Sequence, residues 1–177
     1  RTITVPGNAD GEMLTTTNPK AGNIIQVKQT VKTSFQSLAT KDVVTDVTSV
    51  AITPSSTSSK ILVMVCGDRG DSNGNTFGAL YLSRVLSGST TDLVIGDSRG
   101  ASTRCSISAT KINGDAAVAV PFGIQFLDSP STTSECTYKL RMENLHDGTM
   151  CIGGTFNSSA DDNRTSVPTI ITAMEVA

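Results

Sequence analysis

The stretch from Val47 to Cys66 limits most strongly what this chain can fold into. Two runs rich in β-branched and apolar residues, Val47–Thr53 and Lys60–Cys66, flank Pro54 and five consecutive serines and threonines. The second run is almost continuously apolar, which is typical of a strand buried on both faces. Pro54 cannot donate a ladder hydrogen bond and therefore marks the end of the first strand. The stretch predicts a hairpin whose second arm is the centre of a β core.

Short strands joined by polar turns are expected along the rest of the chain, which contains 21 Ser, 25 Thr and 15 Gly among 177 residues. Alternating apolar and polar residues at Ile25–Phe35, Val118–Phe126 and Tyr138–Met142 predict strands with one wet face, as in antiparallel sheets. In the first of these, Val27 and Val31 are expected to face the core. Nine or ten strands without an amphipathic helix indicate an all-β antiparallel β-sandwich, and more specifically a jelly roll.

One sandwich domain with an N-terminal extension is predicted. Residues 1–22 are polar and punctuated by Gly and Pro, which indicates an arm or linker that lies on another protein. Residues 23–177 form the sandwich, and a chain of this length buries about 68–70% of its unfolded surface. It needs no metal or disulfide to fold, and we expect no cofactor and no metal site.

The charge pattern argues against two classes of partner. The 14 basic and 16 acidic residues are interspersed and give a net charge of −2, so neither nucleic acid nor an anionic membrane is expected as an electrostatic partner. No apolar run approaches the roughly 20 residues of a membrane-spanning helix, and we expect no membrane insertion.

The four cysteines, Cys66, Cys105, Cys136 and Cys151, are widely spaced and form no CxxC pair, which argues against a zinc site. Their even number allows three disulfide pairings. Each lies within or at the end of an apolar strand, which favours buried free thiols, and both alternatives stay open at this point.

Gly67–Thr76, which reads GDRGDSNGNT, predicts a loop. Arg69 and Asp71 belong to an RGD tripeptide, which we interpret as a solvated turn whose glycine permits the chain to reverse. Asp71, Asn73 and Asn75 have the first spacings of a calcium-binding loop, but Thr at the sixth position and Leu at the twelfth exclude an EF-hand.

The sequence carries no pattern of an enzyme. Its single histidine, His146, lies in a predicted surface turn. The chain matches G-x-S-x-G twice, at Gly70–Gly74 and Gly96–Gly100, but no helix is predicted after either match, so neither predicts the nucleophile elbow of a hydrolase. Asp161 and Asp162 share one loop and so would not hold two carboxylates at the fixed separation that glycoside cleavage requires. We therefore predict a protein without catalytic activity.

The last strand, Thr169–Val176, is apolar on both sides, and only Glu175 marks a wet position. Ile170, Met174 and Val176 lie on one side and Ile171 and Ala173 on the other, so the strand is either central in its sheet or covered by a partner subunit. For the second alternative we predict an assembly interface of Ile170, Ile171, Met174 and Val176. A threefold axis covers such a face with one patch used three times. We expect a homotrimer in which Ile171 or its strand neighbours pack near the axis.

Five segments together resemble a virion-protein domain that recurs in tailed phages of marine bacteria. They read GNIIQVKQTVKT, VTSVAITPSSTSSKILV, IGDSRGASTR, IQFLDSPSTTSECTYKL and TIITAMEVA, and they extend over nearly the whole chain from Gly22. These segments are patterns of strands and turns, so they indicate a family better than a task.

The resemblance implies a protein located in the virion, as a trimeric fibre domain on the tail or the head. Loops such as the one holding Arg69, Asp71, Asn73 and Asn75 would contact a host receptor or glycan, and the N-terminal arm would contact other virion proteins. The alternative is a capsid decoration or cement protein whose arm lies across coat subunits. A depolymerase is a third and weaker hypothesis.

Overall fold

The structure, a computed structural model, describes residues 21–72, 77–109, 118–156 and 165–177. Within these ranges the chain is all-β, without a helix, and two antiparallel sheets pack together, which confirms the predicted sandwich at this level. The strands are β1 (Ile24–Lys32), β2 (Gln36–Leu38), β3 (Val44–Ile52), β4 (Lys60–Asp71), β5 (Gly78–Leu86), β6 (Ser89–Leu93), β7 (Ile107–Ala109), β8 (Ala119–Asp128), β9 (Cys136–Asn144), β10 (Met150–Ile152) and β11 (Thr169–Val176).

The first sheet is built around β4, the twelve-residue strand that contains the apolar run seen in the sequence. On one edge of β4, β11 pairs with the first half and β10 with the end. β8 runs along the opposite edge from Ile61 to Gly70, while β1 lies beyond β11 and β2 beyond β10. The predicted central position of Lys60–Cys66 is therefore confirmed.

The second sheet has the order β3-β9-β5-β6, and β7 also pairs with β5. Its inner side is apolar because alternate residues of β9 and β5 point toward the first sheet. Tyr138, Leu140 and Met142, which alternate with charged residues in the sequence, are completely buried, as predicted. They pack with Ile61 and Val63 of β4 in one hydrophobic core between the sheets.

A polar cluster joins the two sheets inside the sandwich. The guanidinium of Arg84 on β5 lies 2.7 Å from a carboxylate oxygen of Asp128 on β8, and the Tyr138 hydroxyl donates to the same oxygen at 2.7 Å. Burial and the hydrogen bond to Asp128 raise the pKa of Tyr138, so it stays neutral and donates. The cluster ties the end of β8 to the middle of the second sheet.

The prediction of a hairpin over Val47–Cys66 is wrong. β3 pairs with β9 in the second sheet, whereas β4 pairs with β8 and β11 in the first. Residues 53–59 therefore cross between sheets instead of reversing the chain within one. A proline followed by serines ends a strand in either case, so local sequence does not distinguish the two connections.

Glu175 of β11, predicted to be exposed, is completely buried and holds this crossover. Its carboxylate accepts hydrogen bonds from the backbone nitrogen and the hydroxyl of Ser55, both at 2.6 Å, and from the Gln26 amide at 2.6 Å. Burial acts to raise the pKa of Glu175, but hydrogen bonds from Ser55, Gln26 and Ser59 outweigh burial and lower that pKa. Hydrogen-bond donors of the protein thus take the place of water around the buried carboxylate.

The orientation predicted for β1 is also wrong. Val27 and Val31, expected to face the core, point outward and are about half exposed, at 53% and 49%. Gln26, on the other side of the strand, reaches Glu175 instead. β1 pairs with one strand only, β11, so its inner side lies at the rim of the sandwich where polar side chains are tolerated.

Candidate functional site

The outer side of the first sheet carries a broad apolar surface. Residues paired directly across antiparallel strands share one side of the sheet, so the register gives its rows. The first row consists of Val27, Met174, Leu62 and Leu127. The third row consists of Val31, Ile170, Cys66 and Gly123. The central row between them consists of Gln29, Thr172, Met64 and Gln125.

We call these three rows, together with Ile24 and Val176 at one end, the apolar face. Several of its large side chains are strongly exposed, including Ile24 at 58%, Val27 at 53% and Leu127 at 45%. The aliphatic side chains of β4 and β11 between them are half-buried. Here two largely apolar rows flank a central row in which only Met64 is apolar, and exposed apolar surface of this extent is typical of interaction sites.

An open groove of about 640 Å³ crosses the apolar face. Its walls include Cys66, Gly123, Ile170 and Gln125. The groove exists because Gly123 has no side chain in a row where each neighbouring strand carries one. On the same surface, the Gln29 amide donates to the Thr172 hydroxyl at 2.9 Å, so part of the central row is already satisfied within the chain.

Charge is confined to the ends of the apolar face. Lys60 is paired with Val176 at one end of the face and is exposed. Asp68 lies two residues beyond Cys66 on β4, at the other end, and is half-buried. None of the twelve residues in the three rows is charged. A surface without internal charge is compatible with burial against another apolar surface, because no ion loses its water.

The outer side of the second sheet, which we call the charged face, has the opposite character. Asp46 lies 2.6 Å from the Lys139 ammonium and 3.5 Å from the Arg141 guanidinium. Arg141 also reaches Asp92 at 3.2 Å, and Ser83 donates to that carboxylate at 2.5 Å. These ion pairs and this hydrogen bond extend across β3, β9, β5 and β6. The charged groups of this face are therefore paired within the chain.

The four residues predicted for assembly do not lie on one surface. Ile171 is completely buried in the core between the sheets, so its predicted position near an assembly axis is wrong. The reason is that β11 is a central strand, flanked by β1 and β4, and one of its sides closes the sandwich. Ile170, Met174 and Val176 point the other way, onto the apolar face, where their role in assembly stays a prediction.

The loop expected at Gly67–Thr76 begins later than predicted. β4 continues to Asp71, and Arg69 and Asp71 are buried at 4% and 1% exposure. Buried side chains do not reach a host surface, so the exposed position expected for these two residues is wrong. Asn73 and Asn75 lie outside the described residues.

Glycines explain why this segment resembled a loop in the sequence. A side chain at Gly67 would collide with the Thr169 hydroxyl and with Phe122, and one at Gly70 would collide with the carbonyl oxygen of Gly154. These glycines therefore permit other parts of the chain to pack closely against β4, and they do not form a turn. The spacing of glycines alone does not separate the two uses.

The four cysteines are free, but they are not alike. Cys136 and Cys151 are buried, Cys105 is half-buried, and Cys66 is exposed on the apolar face. Burial raises the pKa of Cys151 to about 11, so that thiol stays protonated at neutral pH. Of the two alternatives that the sequence left open, the structure has free thiols, whereas the predicted burial of Cys66 is wrong.

Side chains that could support chemistry are dispersed in the part of the chain that the structure describes. In those ranges no group of three or more histidines, cysteines and acidic residues is placed to hold a metal ion. His146 stacks edge-on against Phe77, with ring centres 5.5 Å apart. The described ranges also hold no helix that would cross a membrane.

Comparison with models of protein families gives no match, and comparison with curated proteins also gives none. The resemblance to phage virion proteins therefore stays a prediction from the sequence.

The sequence did not identify most of the apolar face, because its residues come from four separate strands. Val27 was placed inside the sandwich, and Leu62 and Leu127 were not singled out. One signal was available: the runs Ile61–Val65 and Thr169–Val176 are apolar at both odd and even positions. A strand of a two-layer sandwich needs apolar residues on one side only, so the excess points to a second surface.

Proposed function

We propose that this chain is a structural protein of a phage virion, without enzymatic activity, and that its sandwich is a fibre domain of the tail or the head. The observation that carries the assembly role is the apolar face on a rigid sandwich, since such surfaces are covered in the working state of a protein. The phage setting is supported by the sequence resemblance. Homotrimerisation belongs to the same proposal and is tested with it.

The strand order supports a jelly roll as the finer description of the fold. Four strands of the first sheet follow in the order β1-β11-β4-β8, and four of the second in the order β3-β9-β5-β6. Successive strands of this set alternate between the two sheets except for β5 and β6, which are neighbours in the second sheet. Two Greek keys give this order, and jelly rolls recur in viral capsid proteins. This is an analogy of fold and carries no information about a receptor.

Two kinds of partner follow from the fibre proposal. Residues 1–22 would attach the sandwich to other virion proteins, and the polar segments that the sequence predicts to be loops would contact a receptor or glycan on the host. Of the loop residues proposed from the sequence, Asn73 and Asn75 keep this role, because Arg69 and Asp71 are buried. No nucleic acid and no membrane insertion is part of the proposal.

The experiment is to locate the chain on purified particles. Mass spectrometry of particles banded on a density gradient should detect it at a fixed ratio to the major coat protein. Antibody labelling in the electron microscope should mark tails or isolated spikes. A regular label over the whole head lattice would favour a capsid decoration protein instead, and absence from particles would overturn the virion proposal.

Enzymatic activity is tested separately. Purified protein incubated with polysaccharide from the host surface should release no reducing ends and leave the polymer length unchanged. A time-dependent release that scales with protein concentration would overturn the non-enzymatic part of the proposal.

A further inference from the structure

We propose that the apolar face is the surface through which copies of this chain bind one another. The inference rests on the proposed assembly role, but it depends neither on the number of copies nor on a virion. It replaces Ile171, which is buried in the core, with a surface formed by β1, β11, β4 and β8.

The size of the face suits a specific interface. Four strands about 4.8 Å apart and seven residues rising about 3.3 Å each give an area of about 19 by 23 Å. A matching surface on a second copy doubles that area, and protruding side chains such as Leu127 enlarge it further. The flat area of the two surfaces is then about 870 Å², and the protruding side chains bring the buried surface toward the roughly 1,200 Å² at which specific interfaces begin.

The chemistry of the face identifies a second copy as the occupant. A partner surface must be apolar and uncharged over the same width. Among the described surfaces, the charged face does not meet this requirement because it carries Asp46, Arg141 and Asp92. The apolar face itself meets the requirement. Its two charges, Lys60 and Asp68, lie at opposite ends and have opposite signs, so neither is forced into the contact.

The order of the rows makes the face complementary to itself. An apolar row lies two residues to either side of the central row on every strand, so apolar rows meet whether the second copy runs parallel or antiparallel. Gln29 and Gln125 are exposed at the two edges of the central row, where amides of neighbouring copies can pair.

The groove adds a requirement for shape. Space over Gly123 and Cys66 is open in one copy, and an aliphatic side chain is the group that fills it best. Leu127, 45% exposed on the same strand as Gly123, and Val27, 53% exposed on β1, are side chains that a neighbouring copy would supply. Filling the groove also covers the Cys66 thiol.

The first test compares full-length Met174→Arg with a matched control, Ala51→Arg. Met174 lies in the middle of the first row, whereas Ala51 is an exposed strand residue on the charged face. Light scattering after size exclusion at micromolar concentration should show an oligomer for the wild type and Ala51→Arg. Met174→Arg should raise the dissociation constant at least about 100-fold, because it buries an unpaired charge in the contact. Circular dichroism should show that both variants are folded.

The second test uses Cys66 as a reporter and keeps the result interpretable if Met174→Arg fails to fold. Labelling with a maleimide, followed by peptide mass spectrometry, should be slow at Cys66 in the oligomer. It should become fast when the wild type is diluted to monomer, while Cys136 and Cys151 stay unlabelled because they are buried.

The outcomes separate this inference from the proposed function. A trimer with Cys66 protected supports both, and a dimer with Cys66 protected supports the inference but overturns the homotrimer. An oligomer that labels quickly at Cys66 overturns the inference and leaves the virion proposal standing. If the 177-residue chain stays monomeric, the inference is overturned. This holds also if removing residues 1–20 produces an oligomer, because residues of the same chain would then cover the apolar face.

Discussion

The two outer sides of this sandwich follow opposite rules although they belong to sheets of similar size. On the charged face, Asp46, Arg141 and Asp92 form a network of ion pairs across four strands. On the apolar face, rows such as Val27 to Leu127 cross four strands without a charge. One core already holds the two sheets together, so folding alone does not require the second apolar surface. The ion pairs of the charged face are compatible with exposure to water, whereas the apolar face is the surface that we propose to bind a second copy of the chain.

The central strands β4 and β11 of the first sheet therefore contribute side chains to two apolar surfaces at once. In β11, Ile171 and Ala173 close the core while Ile170 and Met174 form the apolar face. Both sets are apolar in the sequence. Only their burial in the structure distinguishes the residues that stabilise the fold from those that we propose to form the assembly surface. Substitutions at neighbouring positions of one strand can test that separation directly.

The largest expected effect is at Ile171. We expect Ile171→Asp to abolish folding at 25 °C, because it removes a core side chain and buries a carboxylate without a partner, a loss exceeding about 4 kcal/mol. The neighbouring Ile170→Asp places the same carboxylate on the apolar face and should leave the domain folded. Circular dichroism and urea unfolding measure both variants. A folded Ile171→Asp, or two variants of equal stability, would contradict the assignment of the two sides of β11.

The second effect concerns the ion pair inside the sandwich. Asp128→Ala should lower the free energy of unfolding by about 3–5 kcal/mol, because it leaves the Arg84 guanidinium partly buried without its carboxylate. Tyr138→Phe, which removes one hydrogen bond to the same carboxylate and keeps the ring, should cost about 1 kcal/mol. Urea unfolding gives both values. Equal losses would mean that ring packing and not the charge pair holds this end of β8.

Part of this arrangement was predictable from the sequence, for physical reasons. Strands such as Thr169–Val176 and the buried alternation of Tyr138, Leu140 and Met142 follow from side chains alternating across a strand, and the structure confirms them. Alternation in the sequence predicts that the two sides of a strand differ, but it does not predict which side faces the core. That is why Val27 was placed inside the sandwich although it lies outside.

Long-range pairing was the part that local sequence could not supply. Glu175 looks like a surface residue until Ser55 and Gln26, 120 and 149 positions away, donate to it. Likewise, Gly67 and Gly70 resemble turn residues until their distant neighbours are known. The apolar face combines four strands from the whole chain, so it becomes visible only with the register.

The third effect is a dependence on pH at Glu175. Its folded pKa is lowered relative to the unfolded chain, so its contribution to stability is complete above the unfolded value of about 4.3 and is lost as pH falls through the folded pKa. Unfolding in urea between pH 7 and pH 3 should show this loss. Glu175→Gln should be less stable at pH 7, and its stability should fall less steeply below pH 5. A variant with the slope of the wild type would assign the acid sensitivity to other carboxylates.

The smallest effect should come from the charged face, and it completes the comparison. Asp46→Ala removes a carboxylate that pairs with Lys139 and Arg141, yet it should lower the free energy of unfolding by no more than about 1 kcal/mol. Asp46 is 56% exposed at its side chain, so water and salt already screen these pairs. The difference between Asp46→Ala and the wild type should shrink further in 1 M NaCl, whereas oligomerisation through the apolar face should persist in that salt. A loss as large as that of Asp128→Ala would show that water does not screen these ion pairs, and the contrast between the two faces would then fail.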